Sequence, residues 1–259
     1  MAIIGGMENI MQLSIYLINL DSSTARLADA DLELKKHELS YERISAVDGR
    51  KFDVHSYPSY DSNKAQYYTG RDLIGSEIGC YLSHKKALER FVASGSIWGL
   101  ILEDDLNLCD GFKSLIQETI VWIEQSKVRC DVVNLVSNKR KLSRPLVQIQ
   151  GRDLLHAYYF PISALGLLWS REGAQAFLQQ MNDIYMPIDV EIQKWASKTG
   201  HGLSLVPALV KISGAESDID ANTIAMKKDS LRVDRFIPKQ RRMWGNKWNA
   251  FKHKYSISS

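Results

Sequence analysis

The chain has 259 residues, a net charge of +3 at pH 7 and 45% hydrophobic residues, which suits one large or two small globular domains. Its three cysteines match no zinc or redox spacing, so we expect reduced thiols in a cytosolic protein, not a disulfide-stapled scaffold. No apolar run approaches the ~20 residues that cross a bilayer. Residues 1–12 lack a signal-peptide pattern, and we interpret them as a disordered leader without an assigned function.

The first quarter of the chain alternates strand and helix patterns. Residues 13–20 favour a strand, residues 25–39 a helix after a polar cap, and residues 41–47 a second strand. Strand, helix and strand in this order predict the start of a parallel α/β sheet. Residues 51–71 are polar, rich in Tyr and weakly periodic, and they predict a mobile flap or a surface loop.

The α/β pattern continues through the rest of the chain. A helix is predicted over 74–94 with Gly95 as its stop, followed by a buried strand over 97–102. The further predicted elements are a helix over 112–125, a strand over 131–136, a basic loop over 137–150, strand-like runs at 148–149 and 154–160, a helix over 171–181, a helix beginning at Pro187, and a strand over 202–212 interrupted by Pro207. We predict one domain over 13–231.

Three consecutive acids end the buried strand over 97–102, namely Glu103, Asp104 and Asp105. Because strand side chains alternate, Glu103 and Asp105 should project to one side and Asp104 to the other. Converging carboxylates require a cation, a basic neighbour or water, and Mg²⁺ and Mn²⁺ prefer carboxylate oxygens. The pattern fits a metal site, but equally a solvated turn or the approach to a helix start at Asp110.

Motifs for common nucleotide folds are missing from the sequence. It contains no Gly-x-Gly-x-x-Gly after the first strand and no P-loop, which argues against a Rossmann dehydrogenase or a P-loop phosphotransferase. Asn19, Asp21 and Arg26 lie at the end of the first strand, where open α/β sheets place ligands, although Arg26 equally suits a surface charge. His84, beside Ser83, suits a ribose or phosphate contact, but a helical His is more often a packed residue.

Four short motifs together carry a resemblance to a known family. In chain order they are Ile18-Asn19-Leu20-Asp21 with Arg26, Ala46-Val47-Asp48-Gly49, Glu77-Ile78-Gly79-Cys80 with Ser83-His84, and Leu102-Glu103-Asp104-Asp105. In order and spacing they resemble glycosyltransferase family 25, which includes bacterial lipooligosaccharide galactosyltransferases and, more distantly, collagen galactosyltransferases. The resemblance extends over about residues 13–220, and the segments at 166–174 and 187–189 also look like family positions.

The resemblance implies a single GT-A-type, Rossmann-like α/β domain that binds a nucleotide-sugar donor and a divalent metal, Mn²⁺ or Mg²⁺. It implies that Glu103-Asp104-Asp105 replaces an Asp-x-Asp motif, with Glu at the first position. Asp105 is then the preferred direct metal ligand, and Glu103 acts through the metal, a water or the donor ribose. The implied donor-binding set consists of Asn19, Asp21, Arg26, Ser83, His84, Glu103 and Asp104.

Transfer of a sugar with inversion also requires a base on the acceptor side, and a carboxylate is the usual kind. Asp189, at the predicted helix start after Pro187, is the first choice, and Glu191 is the reserve. Helix capping is the alternative role for Asp189. Asp218, in a loop rich in Ser, Gly and Asp, could complete the metal shell, contact the acceptor or simply be solvated.

The C-terminal segment, residues 232–259, differs in character from the rest of the chain. Between residues 232 and 254 it has eight Lys or Arg against one Asp, and Trp244, Trp248, Phe251 and Tyr255 share one helical face. A basic helix with an aromatic face suits an anionic inner-membrane surface. Nucleic-acid binding, self-association through the aromatic face, or docking of the aromatics on the main domain are the alternatives. We favour the membrane and consider nucleic acid the weaker alternative.

Taken together, the sequence predicts an inverting glycosyltransferase that moves a hexose, with galactose from UDP-galactose as the first choice, onto a terminal sugar of a lipooligosaccharide core. We expect it in the cytoplasm, peripheral on the inner face of the cytoplasmic membrane. An acid cluster at a strand end also suits a metal-dependent phosphoryl-transfer enzyme or nuclease. A non-catalytic, membrane-peripheral scaffold is the further alternative.

Overall fold

A computed structural model of the chain describes residues 12–214 and 236–256. Its centre is a mixed eight-stranded sheet in the order β2-β1-β3-β8-β5-β9-β7-β6, and a separate antiparallel pair joins β4 to β10. The strands are β1 (Leu13–Asn19), β2 (Glu42–Ser45), β3 (Trp98–Glu103), β4 (Leu106–Leu108), β5 (Val132–Asn134), β6 (Ser143–Ile149), β7 (Arg152–Ala157), β8 (Gly166–Ser170), β9 (Gly202–Val206) and β10 (Val210–Ile212).

Seven helices lie within the described residues. They are α1 (Thr24–Lys36), α2 (Ser62–Thr69), α3 (Gly75–Ser94), α4 (Phe112–Ser126), α5 (Arg171–Leu178), α6 (Ile188–Thr199) and α7 (Phe236–Ser256). Strands β2 and β3 both pair with β1 in parallel register, and β8 runs antiparallel between β3 and β5. The predicted α/β class, with its Rossmann-like β1-α1-β2 start, is therefore confirmed.

Alternating side chains of the central strands build a hydrophobic core on each face of the sheet. Leu17 of β1 is buried on the face covered by α1 and α4, whereas the next residue, Ile18, is buried on the face covered by α3, α5 and α6. Strands buried on both faces read as continuous apolar runs, which is why β1 and β3 are recognisable in the sequence.

The structure corrects the prediction of a loop over 51–71, because residues 62–69 form helix α2. Asp61 caps this helix by accepting a hydrogen bond from the Lys64 backbone N–H, and Gly70 ends it in the left-handed conformation. Its only fully buried side chain is Ala65, so the helix leaves little hydrophobic periodicity in the sequence. The predicted basic loop over 137–150 is also partly wrong, since β6 occupies its second half.

The predicted C-terminal helix is confirmed as α7, which packs against α6 and α2. Its docking face includes Asn246 and Ala250, which are buried, and His253, whose Nε2 lies 2.8 Å from the carbonyl oxygen of Lys198. The four predicted aromatics lie on the other side and are exposed, at 64% for Trp244. The alternative in which α7 docks through its aromatics is therefore wrong.

None of the helices in the described part of the chain has the length and hydropathy needed to span a bilayer. Residues 1–11 lie outside the described residues, so the leader stays a prediction. The boundaries of the 13–231 domain and of the C-terminal segment also stay predictions.

Candidate functional site

A cleft opens at one edge of the sheet, where the parallel strands β1, β2 and β3 end at Asn19, Ser45 and Glu103. Carboxyl ends of parallel strands form the usual ligand site of open α/β sheets. The cleft is lined by residues of three regions, the strand ends, the segment over 46–50 and the first turns of α3: Ile18, Asn19, Leu20, Arg26, Ala46, Val47, Asp48, Gly49, Arg50, Ser76, Cys80, Ser83, Glu103 and Asp104.

Asn19 and Asp104 form a buried pair at the base of the cleft. The Asn19 side-chain amide donates to Asp104 Oδ2 at 2.7 Å, and Arg26 forms an ion pair with the other oxygen of Asp104. Arg43 Nε donates to Asn19 Oδ1 at 3.0 Å, which fixes the orientation of the amide. Burial raises the pKa of Asp104, although the contacts from Asn19 and Arg26 oppose that rise. Asp104 therefore positions Asn19 and Arg26.

Glu103 faces away from Asp104 and towards α3. One of its oxygens lies 2.9 Å from His84 Nε2 and 3.7 Å from Cys80 Sγ. Burial opposes ionisation of Glu103, but the contacts with His84 and Cys80 outweigh it and lower the pKa of this carboxyl. The divergence of Glu103 and Asp104 is the alternation expected at a strand end.

Asp105 has the features expected of a cation ligand. Its Oδ1 is buried without a hydrogen-bond partner among the described residues, and its Oδ2 lies 3.9 Å from Arg26 Nη2. Burial, together with the charges of Glu103 and Asp104, raises the pKa of Asp105 to about 6, while Arg26 opposes that rise. A buried carboxylate oxygen without a partner fits a hard divalent cation, although Asp105 itself does not line the cleft.

A second potential ligand set shares Glu103 with Cys80 and His84, whose ligand atoms all lie within 4.8 Å of one another. Burial raises the pKa of the Cys80 thiol well above its usual value, and the charge of Glu103 raises it further. Because a bound cation favours the thiolate, this set is an alternative to a site built on Glu103 and Asp105.

Three glycines bring the segment over 46–50 into close backbone contact with α3. A Cβ at Gly49 would lie 1.9 Å from the Gly75 carbonyl oxygen, and a Cβ at Gly79 would lie 2.5 Å from the Val47 carbonyl oxygen. The Ser83 hydroxyl adds a hydrogen bond from the Val47 backbone N–H at 2.8 Å. This packing forms one wall of the cleft directly from backbone atoms.

The two predicted base residues occupy different environments on α6. Burial raises the pKa of Asp189, and the charges of Glu103 and Glu77 raise it further. Glu191, by contrast, is only 5% exposed. Burial raises its pKa to about 7, and the neighbouring Tyr81 hydroxyl opposes the rise. Of the two carboxyls, Asp189 is the one whose charge interacts with Glu103 of the cleft, although neither residue lines the cleft.

Five of the predicted donor-binding residues line the cleft, namely Asn19, Arg26, Ser83, Glu103 and Asp104. Asp21 does not line it; its side chain is 72% exposed and pairs with Arg43 at 2.5 Å. His84 lies behind Glu103, with only 1% of its side chain exposed. Asp218 lies outside the described residues. The direct ligand roles predicted for all these residues stay predictions.

Two arginines that hold site residues in place are not predicted from the sequence. Arg43 orients Asn19 from the neighbouring strand, and no sequence spacing connects the two residues. Arg71 forms a two-pronged ion pair with Glu77 at 2.5 and 2.6 Å, and that pair fixes the first turn of α3. The motif Ala46-Val47-Asp48-Gly49, one of the four that carry the family resemblance, indicated that the segment over 46–50 contributes to the site.

The family model described as glycosyltransferase family 25 (LPS biosynthesis protein) matches residues 12–192. Procollagen galactosyltransferase 1 of Danio rerio is 25% identical over 173 residues, which is 64% of this chain and 28% of that protein. Inactive glycosyltransferase 25 family member 3 of Homo sapiens is 29% identical over 129 residues, or 47% of this chain and 21% of that protein.

The chain thus matches less than a third of the length of these relatives. Among solved structures, a glycosyltransferase involved in the glycosylation of the major capsid of PBCV-1 aligns with a TM-score of 0.40 and 12% identity, covering 79% of this chain and 94% of that one. The family match covers well over half of the chain and includes every motif that carries the resemblance. The chain therefore belongs to glycosyltransferase family 25.

Proposed function

We propose that the chain is an inverting galactosyltransferase that transfers galactose from UDP-galactose to a terminal sugar of a lipooligosaccharide core. The observation that carries the proposal is the cleft at the carboxyl ends of β1 and β3, which Asn19, Arg26, Glu103 and Asp104 line together. The charges of Asp105 and Asp189 both interact with Glu103 in that cleft. Family membership supports glycosyl transfer, the name of the zebrafish relative supports galactose, and the description of the family model supports a lipopolysaccharide acceptor.

The donor would lie in the cleft lined by Asn19, Gly49 and Glu103. Arg26 contributes positive charge at the same place, beside Asp104. A divalent cation, when bound by Glu103 and Asp105, would supply further positive charge against the diphosphate. The backbone of the segment over 46–50 excludes water from one side of the donor.

Asp189 would accept the proton of the acceptor hydroxyl as the acceptor oxygen forms its bond to the anomeric carbon. The bond from that carbon to the diphosphate oxygen breaks on the opposite face, so UDP leaves and the configuration inverts. A carboxylate whose pKa is raised by burial holds a proton more tightly, which favours this role at neutral pH.

The exposed face of α7 supports a peripheral position at the inner face of the cytoplasmic membrane. Trp244, Trp248, Phe251 and Tyr255 lie together in water, and the ammonium groups of Lys247 and Lys252 lie 4.9 and 5.4 Å from the Trp244 and Trp248 ring centres. Aromatic rings interleaved with cations suit the headgroup region of an anionic bilayer. A lipid-anchored acceptor is met at that surface.

The function is tested by offering the purified chain UDP-galactose, UDP-glucose and UDP-N-acetylglucosamine with Mn²⁺, with Mg²⁺ and with EDTA, using truncated lipooligosaccharide as acceptor. We expect metal-dependent transfer from UDP-galactose, with an inverted anomeric configuration by NMR. Bis(p-nitrophenyl) phosphate serves as the control substrate. Its cleavage without any turnover of UDP-sugars would instead favour the phosphoryl-transfer alternative.

A further inference from the structure

A second cleft lies at the same edge of the sheet as the donor cleft. Strand β5 is antiparallel to β8, which is antiparallel to β3, so β5 and β3 end at the same edge. The segment that follows β5, together with residues 159–163 and one side of α7, encloses this cleft. It is lined by Val136, Ser137, Asn138, Lys139, Lys141, Tyr159, Pro161, Ile162, Ser163, Gln193, Lys239, Arg242 and Met243.

The second cleft adjoins the proposed base. Gln193 lines the cleft and lies four residues after Asp189 on α6, so the two side chains share one face of the helix. Arg242 of α7 also lines it and is near enough to Asp189 for the two charges to interact. Gln193 thus connects the lining of the second cleft to the helix face that carries Asp189.

The lining of the second cleft has a strong charge bias. It contains four cations, Lys139, Lys141, Lys239 and Arg242, and no Asp or Glu. Within the described ranges, none of the four has a carboxylate within ion-pair distance, whereas the neighbouring Arg140 pairs with Asp153 at 2.5 Å. The three lysines also have no carboxylate among the lining residues, and cations grouped in a concave site attract an anion.

The remaining lining suits a carbohydrate. Tyr159 offers an aromatic ring, and Ser137, Ser163 and Gln193 offer polar groups for hydroxyls. Gln193 is fixed in place, because its Nε2 donates to the Phe160 carbonyl oxygen at 2.7 Å and its Oε1 accepts from Asn246 of α7. The docking of α7 thus completes a rigid polar wall beside the cations.

We infer that this second cleft is the acceptor site and that it takes a glycan bearing a phosphate or carboxylate group close to the accepting hydroxyl. The inference rests on the proposed function and adds the chemical class of the acceptor. Lys139 and Lys141 bind the anionic group, and Arg242 orients the sugar towards Asp189. A neutral sugar makes only the hydrogen bonds of the polar wall.

The test measures equilibrium binding to the full chain by calorimetry with glucose 6-phosphate, glucuronic acid and neutral glucose. We expect the two anionic sugars to bind about tenfold more tightly than glucose, because one well-placed charge contact contributes ~1.4 kcal/mol. Equal affinities for the three sugars overturn the inference. Binding of these sugars does not require turnover of a UDP-sugar. Failure of the proposed function would therefore be seen separately, in the UDP-sugar transfer assay.

Substitution of two lysines tests whether the anionic sugars bind in the second cleft. The double variant Lys139→Gln/Lys141→Gln should weaken glucose 6-phosphate binding about fivefold or more, and Lys139→Arg/Lys141→Arg should retain it. The matched control Lys35→Gln/Arg140→Gln also removes two positive charges, from α1 and from the Asp153 pair, and should bind as the unaltered chain does. Unchanged binding in the Lys139→Gln/Lys141→Gln variant overturns the inference.

A lipid headgroup offers the same phosphate chemistry as a sugar phosphate. A second experiment distinguishes the two ligands. Vesicles of phosphatidylglycerol are titrated with the same variants. The inference predicts that Lys139→Gln/Lys141→Gln binds vesicles as the unaltered chain does. Loss of vesicle binding with unchanged binding of glucose 6-phosphate would assign the cleft to the membrane surface and overturn the inference.

Discussion

Asp189 is the single residue on which the proposed chemistry depends most. Asp189→Asn keeps the size of the side chain and its contact with the Val190 backbone N–H but removes the base. We expect transfer to fall roughly 10²–10⁴-fold while UDP-galactose binding by calorimetry stays near normal. The matched substitution Asp183→Asn, on the loop before α6, should leave transfer unchanged. Retained turnover in Asp189→Asn would assign this residue to helix capping.

Burial of Glu191 leads to a prediction about how the stability of the chain depends on pH. Burial raises its pKa from 4.5 to about 7, so the native state retains this proton after the unfolded chain has lost it. Native stability should therefore decrease as the pH rises from about 4.5 to about 7, by about 3 kcal/mol, and this contribution stays lost at higher pH. Glu191→Gln should remove that loss, and urea unfolding at pH 5 and pH 8 measures it.

The control for the substitution itself is Glu89→Gln, at an exposed position on α3, measured at the same two pH values. If Glu191→Gln gave the same shift at pH 5 and pH 8, the buried carboxyl would not be titrating in this range.

Residue-level prediction from the sequence succeeded where a residue's place in a strand fixed its surroundings. Asn19, Glu103 and Asp104 end parallel strands, and the structure brings them to one cleft. Two predicted residues do not line the cleft. His84 lies behind Glu103, and Asp21 forms an ion pair with Arg43. Such contacts depend on side-chain packing across elements, which spacing along one chain does not encode.

At the scale of elements, the contact between the segment over 46–50 and α3 determines the shape of the donor cleft. Gly49→Ala would place a methyl group 1.9 Å from the Gly75 carbonyl oxygen, and both backbones would have to move apart. We expect destabilisation of about 1–3 kcal/mol and a loss of UDP-galactose affinity. The control Gly245→Ala, in an open part of α7, should stabilise the chain by about 0.5–1 kcal/mol.

Calorimetry and thermal unfolding of both glycine variants provide the measurement. Unchanged donor affinity in Gly49→Ala would show that the donor does not depend on this wall of the cleft.

Elements with a long local pattern, such as the apolar runs of β1 and β3 and the 20-residue helix α3 that stops at Gly95, were predictable from the sequence, whereas α2 and β4 were not. Helix α2 has eight residues and one fully buried side chain, so its formation depends on its caps and on packing against α7. Strand β4 has three residues, and within the described part of the chain its partner strand is β10, which begins at Val210. Short elements stabilised by distant partners leave little pattern in the local sequence.

At the scale of the whole molecule, the exposed face of α7 lies on the outside of the helix that also closes the second cleft. Trp244→Ser/Trp248→Ser should abolish binding to phosphatidylglycerol vesicles at low salt, because both rings are exposed and surrounded by cations. Leu32→Ser, which removes an exposed apolar side chain from α1, is the control and should bind normally. Vesicle co-sedimentation measures both variants. Normal binding by the tryptophan variant would contradict a membrane role for this face.

The central claim is that the cleft at the ends of β1 and β3 holds a UDP-sugar with a divalent metal. Calorimetric titration of UDP-galactose into the unaltered chain and into Asp105→Asn, with Mn²⁺ and with EDTA, tests it most directly. We predict about tenfold or more tighter binding with Mn²⁺ for the unaltered chain, and the same weak binding under both conditions for Asp105→Asn. No binding of UDP-galactose, or equal binding by the unaltered chain with Mn²⁺ and with EDTA, would contradict the claim.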